Sequence, residues 1–149
     1  MATTVGNESD ISDLVTNLIY LEHDAIAAYE STIEKLSDKA LAAQVQRFLE
    51  DHRQHLSTLN NMAAELGIDA PTSGDMKGLL TTGKIAMANL MGDASILKAM
   101  KTNEDDTVTA YERASRHEGA IAQSRAFFDK ALADEVRHRE WMEQTAKNY

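Results

Sequence analysis

Residues Ala133 to Met142 read ADEVRHREWM, and the placing of Glu135 and His138 within that stretch decides the fold. Residues three apart on an α-helix stack on one face, so this carboxylate and this imidazole point the same way. Outward from the pair, small or apolar residues recur at Ile121, Ser124, Phe128 and Ala131 on one side and at Met142 and Thr145 on the other, at spacings that alternate between 3 and 4. That spacing is the seam of a helix packed in a bundle. Glu135 and His138 hold two successive seam positions where leucine is the usual occupant. Burying an unpaired carboxylate costs on the order of several kcal/mol. This seam therefore has to meet partners.

Three more seams supply them. The first helix, 11–37, carries Ile11, Leu14, Leu18, Glu22, Ala25, Tyr29, Ile33 and Leu36, with Ser9 or Asp10 as its cap; His23, Asp24 and Glu30 fall off the stripe and read as solvated. The second, 39–66, is capped by Asp38 and carries Leu41, Val45, Phe48, His52, His55, Leu59, Met62 and Leu66. Two histidines one turn apart thus interrupt an otherwise apolar face, with Glu50 and Asp51 on its flank. The third, 94–118, is capped by Asp93 and carries Leu97, Met100, Glu104, Val108 or Thr107, Tyr111, Ser115 and Glu118. Gly119 breaks it, and the fourth runs 120–147.

Gly67 ends the second helix, and a long crossover over 67–93 leads to the third, containing the only proline and a short helix expected at 76–91. Residues 1–8 read as a flexible polar tail, and 9–149 as a single all-α domain, an antiparallel bundle of two hairpins. A net charge of −9 with no Lys/Arg cluster argues against binding a nucleic-acid backbone. No cysteine is present, so disulfide and thiol chemistry are excluded. The start lacks a basic segment followed by an apolar run, and no apolar stretch is long enough to span a membrane. The expectation is a cytoplasmic protein.

The two halves repeat each other. EHDAIAAYE from Glu22 matches EDDTVTAYE from Glu104 at five of nine positions, with tyrosine seven residues after glutamate in both. Glu104 lies 82 residues after Glu22, while Glu135 and His138 lie 83 after His52 and His55. Such self-similarity marks a duplicated hairpin. Residues equidistant from a hairpin turn share a height, and all six polar seam residues fall roughly 15 residues, about 22 Å of helix, from Ser37-Asp38 or from Gly119. They converge on one level of one core.

That convergence has two readings. A buried His/Glu layer can fix helix register without holding anything, or with a single metal, in a non-enzymatic module that binds a partner or self-associates. A glutamate from each of two helices with an x-x-His pair from each of the others is instead the ligand set of di-metal carboxylate bundles. On that reading Glu22 binds terminally, Glu104 or Glu135 bridges, and His55 and His138 each hold one ion. Iron, manganese and zinc all suit such mixed N/O ligands. Tyr29 and Tyr111 then hydrogen-bond the ligand carboxylates or supply an electron; plain core packing with one satisfied hydroxyl is the equal alternative for tyrosines on a seam.

With Glu22 and Tyr29, His55, Glu104 and Tyr111, and Glu135-x-x-His138 in place, the chain resembles the ferritin-like di-iron carboxylate proteins from Ile11 to about Lys147. Its motif order resembles that of bacterioferritins and rubrerythrins. Its segment GDASILKAMKTNEDDTVTAYERA is most similar to a small bacterial ferritin-like family of unassigned function. The resemblance implies a ferritin-like bundle that holds two irons, turns over oxygen or peroxide as an oxidase, ferroxidase or peroxidase, and assembles as a homodimer or larger homo-oligomer. The departure is His52, where those proteins place a bridging glutamate. Three carboxylates and three imidazoles remain, so two divalent ions would need a hydroxide, oxide or external ligand for neutrality.

Overall fold

A computed structural model of the chain describes residues 3–72 and 91–149. Four helices form there: α1 (Ile11–Lys35), α2 (Lys39–Glu65), α3 (Asp93–Ser115) and α4 (Ala122–Lys147). No strand occurs among the described residues, and the protein is an all-α four-helix bundle. The short crossover helix expected at 76–91 falls, apart from Met91, outside the described residues.

Side chains set the helix starts. Asp10 accepts from Ser12 N at 2.7 Å, and Asp38 accepts from Ala40 N at 2.8 Å and Leu41 N at 3.4 Å. A short carboxylate thereby satisfies N–H groups that a helix leaves unpaired. Gly67, at φ +71°, supplies the left-handed residue that ends α2. The third start differs from expectation. Gly92 is the cap and Asp93 is the first helical residue. The Asp93 carboxylate instead reaches the α1–α2 turn, accepting from Ser37 N and Ser37 Oγ at 2.9 Å and from Asp38 N at 3.0 Å. The expected ends also overran: α1 stops at Lys35, α3 at Ser115, and α4 begins at Ala122.

α1 packs on α2 and α3 on α4 as two hairpins, with α1 beside α3 and α2 beside α4 across the bundle. The cross-bundle pairs are antiparallel. Tyr29 bonds Glu104 and Tyr111 bonds Glu22, so a rise of seven on α1 matches a fall of seven on α3. The two turns therefore lie at opposite ends. Asp93 sits at the α1–α2 turn, and at the other end Gly119 lies against the start of α1, where an added Cβ would come 2.9 Å from Ile11 Cβ.

Apolar side chains fill both ends of this frame. One cluster, with Leu36, Val45, Phe48, Leu97, Met100 and Met142, packs towards the α1–α2 turn. The other, with Leu14, Leu18, Leu59, Ala114 and Phe128, packs towards the α3–α4 turn. Between them lies a polar level. The stripes are wider than the seams alone, taking in Val15, Ile19, Ala28, Leu49, Ala63 and Ala110. At the helix ends the seams rotate off the core: Ile121 is 67% and Leu66 40% exposed, Glu118 lies in solvent, and Ala146 replaces Thr145 as the last buried position of α4. A straight helix drifts by about 20° per heptad from a strict 3-4 repeat, which is enough to produce these slips.

Ahead of α1, the segment expected to be a flexible tail over 1–8 hydrogen-bonds to α3 from Thr3 onward. Thr3 N donates to Asp106, Arg113 Nη1 donates to the carbonyls of Thr3 and Val5, and the Glu8 carbonyl lies 2.7 Å from His117 Nε2. Among the described residues no helix is long and apolar enough to cross a membrane.

Candidate metal centre

The polar level holds Glu22 from α1, His52 and His55 from α2, Glu104 from α3, and Glu135 and His138 from α4. All six are buried. Among the described residues they form two overlapping groups, Glu22–His52–His55–Glu135 and His52–Glu104–Glu135–His138. Within each group one N or O per residue lies within 4.8 Å of every other. The sequence-derived set is thus brought together complete. His52 and Glu135 belong to both groups.

His52 sits at the middle. Its Nδ1 lies 3.0 Å from Glu22 Oε2, and its Nε2 lies 3.3 Å from Glu104 Oε1 and 3.4 Å from Glu135 Oε2. One imidazole thus spans the space between carboxylates of three helices. The other two histidines are oriented from outside. His55 Nε2 donates to Asp134 Oδ2 and His138 Nε2 to Asp51 Oδ2, each at 2.8 Å. Their Nδ1 atoms therefore face inward. His138 Nδ1 lies 3.5 Å from Glu135 Oε2 and 3.8 Å from Glu104 Oε2. His55 Nδ1 lies 3.3 Å from Glu135 Oε1, close enough for charge attraction but outside hydrogen-bond geometry, and both atoms lack a hydrogen-bond partner among the described residues. Two orphaned buried ligand atoms facing each other are what a coordinating cation would satisfy.

Tyrosines and a threonine finish the carboxylates. Tyr29 Oη donates to Glu104 Oε1 at 2.5 Å, and Tyr111 Oη donates to Glu22 Oε1 at 3.1 Å. Each tyrosine serves the glutamate of the other hairpin. Thr107 Oγ1 lies 3.0 Å from both Glu104 Oε2 and Glu135 Oε2. A hydroxyl has one proton to donate, so it serves only one of them at a time.

Charge is balanced within the cluster. Burial pushes the Glu22 carboxyl up, but His52 and His55 outweigh that and hold it at about 2. Burial alone would strip His52 of its proton; the Glu135 and Glu22 carboxylates prevail and hold its pKa well above the usual range. Against the same burial, Asp134 with Glu135 and Glu22 pushes His55 up to about 11, and Glu104 with Glu135 pushes His138 up to about 9. Glu135 goes the other way: burial and then the Glu104 charge raise its carboxyl. The surrounding carboxylates thus favour the protonated form of all three imidazoles. Ligation requires them neutral, so a bound ion would replace the protons it displaces.

Asp51 and Asp134 were not among the sequence-derived candidates. Asp51 was placed on the flank beside His55, yet it serves His138 on another helix. The signal was available: Asp134 lies 83 residues after Asp51, the offset that relates the histidine pairs. Thr107, weighed only as an alternative seam residue, is buried along with Val108. Asp24, read as solvated, is half-buried, and its Oδ1 lacks a partner among the described residues.

A family described as "Domain of unknown function (DUF2383)" matches residues 10–117. A crystal structure described as that of a conserved hypothetical protein, rv2844, from Mycobacterium tuberculosis superposes with a TM-score of 0.73. The match covers 91% of this chain and 89% of that one at 19% identity, a likeness of fold. No curated protein matches the chain.

Proposed function

We propose, for a chain that belongs to the family described as a domain of unknown function (DUF2383), that the buried Glu/His level holds two transition-metal ions, iron first among them, for oxidase-, ferroxidase- or peroxidase-like chemistry. The observation that carries this reading is the pair of orphaned atoms, His55 Nδ1 and Glu135 Oε1, 3.3 Å apart at the core. In it Glu22 and His55 would hold one ion and Glu104 and His138 the other, with Glu135, a member of both groups, available to either. Redox-active ions bound there would supply electrons to oxygen or peroxide. The chain's own residues do the rest. Asp51 and Asp134 keep the outer nitrogens of His138 and His55 protonated and their Nδ1 atoms turned inward. Tyr29 and Tyr111 orient Glu104 and Glu22, and the apolar layers above and below exclude bulk water.

One observation favours a second reading. His52 has carboxylates at both ring nitrogens, so the level already contains a cation when His52 is protonated. A single metal, or a layer that only fixes helix register, fits that arrangement.

Anaerobic titration of metal-stripped protein with ferrous iron, followed by exposure to oxygen or peroxide, separates the two. The di-metal reading expects two equivalents per chain and rapid oxidation. One equivalent supports the single-metal reading, and no uptake rejects both metal forms.

A further inference from the structure

Arg137 immediately precedes His138, but its guanidinium lies on the outside of the bundle. Its Nη2 donates to Asp51 Oδ2 at 2.8 Å and to Asp134 Oδ1 at 3.2 Å. Those are the carboxylates that accept from the outer nitrogens of His138 and His55. The same guanidinium lies over the Phe48 ring, 5.6 Å from its centroid, and Phe48 stacks on His138 at 4.3 Å between centroids. One surface side chain thus stands a single residue away from both outer histidines of the centre.

We propose that Arg137 is a positioning residue that couples the two halves of the Glu/His centre, holding Asp51 and Asp134 so that His138 and His55 both present Nδ1 inward. The effect on metal affinity rests on the proposed function above; the coupling itself does not.

Three features support this role. Of the neighbouring helix pairs, α2 and α4 bring their backbones close at the fewest points, so a side-chain bridge between them adds a constraint where the backbones supply least. The guanidinium is planar, with its donors in a fixed fork, so its two bonds constrain direction in a way an ammonium on a flexible stem does not. Its side chain is 54% exposed, so solvent screens its charge and leaves little stabilisation from the ion pairs themselves. Orientation is what remains for it to contribute. The coupling is also asymmetric. Beyond the histidine each one serves, Asp134 has a second cation, Lys130 Nζ at 3.0 Å, whereas among the described residues Asp51 has only Arg137. Loss of Arg137 should therefore fall harder on His138 than on His55.

The test begins on metal-free protein, by imidazole 15N NMR of the parent, Arg137→Gln and Arg137→Lys. In Arg137→Gln the ring signals of His138 and His55 should both move, His138 further. His117, whose Nε2 faces the Glu8 carbonyl at the end of the bundle, should not. Arg137→Lys, which keeps the charge but not the planar fork, should recover little of the shift; full recovery would show that charge and not orientation acts, and would overturn the positioning role. Unmoved His138 and His55 signals in Arg137→Gln overturn the proposal. The second arm is an anaerobic cobalt(II) titration. Arg137→Gln should weaken binding about tenfold, the low end for outer partners of metal-held histidines. That loss should vanish in an Asp51→Asn/Asp134→Asn background. A loss that persists there overturns the route through the two aspartates. A parent protein that takes up no cobalt rejects the metal reading alone, and the NMR arm still decides the coupling.

Discussion

Asp51 accepts a hydrogen bond from His138 Nε2 at 2.8 Å across two hairpins, and Asp134 accepts one from His55 Nε2 at the same distance in the opposite sense. The two bonds are related by the internal repeat, so the outer support of the centre is duplicated along with its Glu/His residues. Asp51→Asn keeps the shape of the side chain and removes its charge. It should weaken the ion held with His138 by about 10–100-fold and leave the His55 half near its parent affinity. Asp134→Asn should do the reverse. Stepwise cobalt or ferrous titration of each variant reads the result; equal effects on both steps would contradict the assignment of one aspartate to each half.

Tyr29 and Tyr111 cross the same divide from inside, each bonding the glutamate of the other hairpin. Tyr29→Phe removes a hydroxyl from a buried, charged acceptor and fills the same space. A hydrogen bond of that kind contributes about 1.5–3 kcal/mol, so urea unfolding of the metal-free variant should show a loss in that range. Tyr111→Phe should cost a similar or smaller amount, because its bond is longer, 3.1 Å against 2.5 Å. Losses within experimental error of zero would show the carboxylates to be held without the phenols.

The centre was legible in the sequence because its residues are wrong for their surroundings. Glu22, His52, His55, Glu104, Glu135 and His138 each interrupt an apolar stripe, and an interruption is visible in a single chain. Asp51 and Asp134 interrupt nothing. They stand on the flank, where an aspartate is ordinary, and their use depends on which helix lies opposite, which periodicity does not report. Arg137 was hidden for the same reason. The helix ends depart from the periodicity because seams drift, and Asp93 departs from it because a residue able to cap its own helix meets three donors on the neighbouring turn.

Asp93 joins the start of the second hairpin to the turn of the first through Ser37 and Asp38. Asp93→Ala removes all three bonds at once. The site lies at the surface, so the loss should be about 1 kcal/mol, within the usual net range for hydrogen bonds. Asp93→Asn should recover part of it. Metal stoichiometry should be unchanged in both variants, since Asp93 lies at the end of the bundle, and a changed stoichiometry would mean that the turn contact orders the centre itself.

His52 separates the readings most sharply, because its two nitrogens face Glu22 on one side and Glu104 with Glu135 on the other. In metal-free protein, His52→Leu takes away the cation that three buried carboxylates share. Removing one partner of a buried ion pair costs about 3–5 kcal/mol, and chemical denaturation in the presence of a chelator should show a loss of that size. His52→Glu should destabilise the metal-free protein further, since it adds a like charge in the same space. Metal reverses the order. A fourth carboxylate suits two divalent ions better than an imidazole does, so His52→Glu should bind ferrous iron more tightly than the parent. A ligand that binds only the folded state stabilises it by an amount that grows with concentration over Kd, about 2.7 kcal/mol at a hundredfold excess. The rise in Tm on adding ferrous iron without oxygen should therefore be larger for His52→Glu than for the parent, and smallest for His52→Leu. If iron raises Tm equally in all three, His52 holds the helices in register and takes no part in binding the ion. If it raises none of them, the whole level is an ion-paired core layer, and the stability loss in His52→Leu measures what that layer contributes.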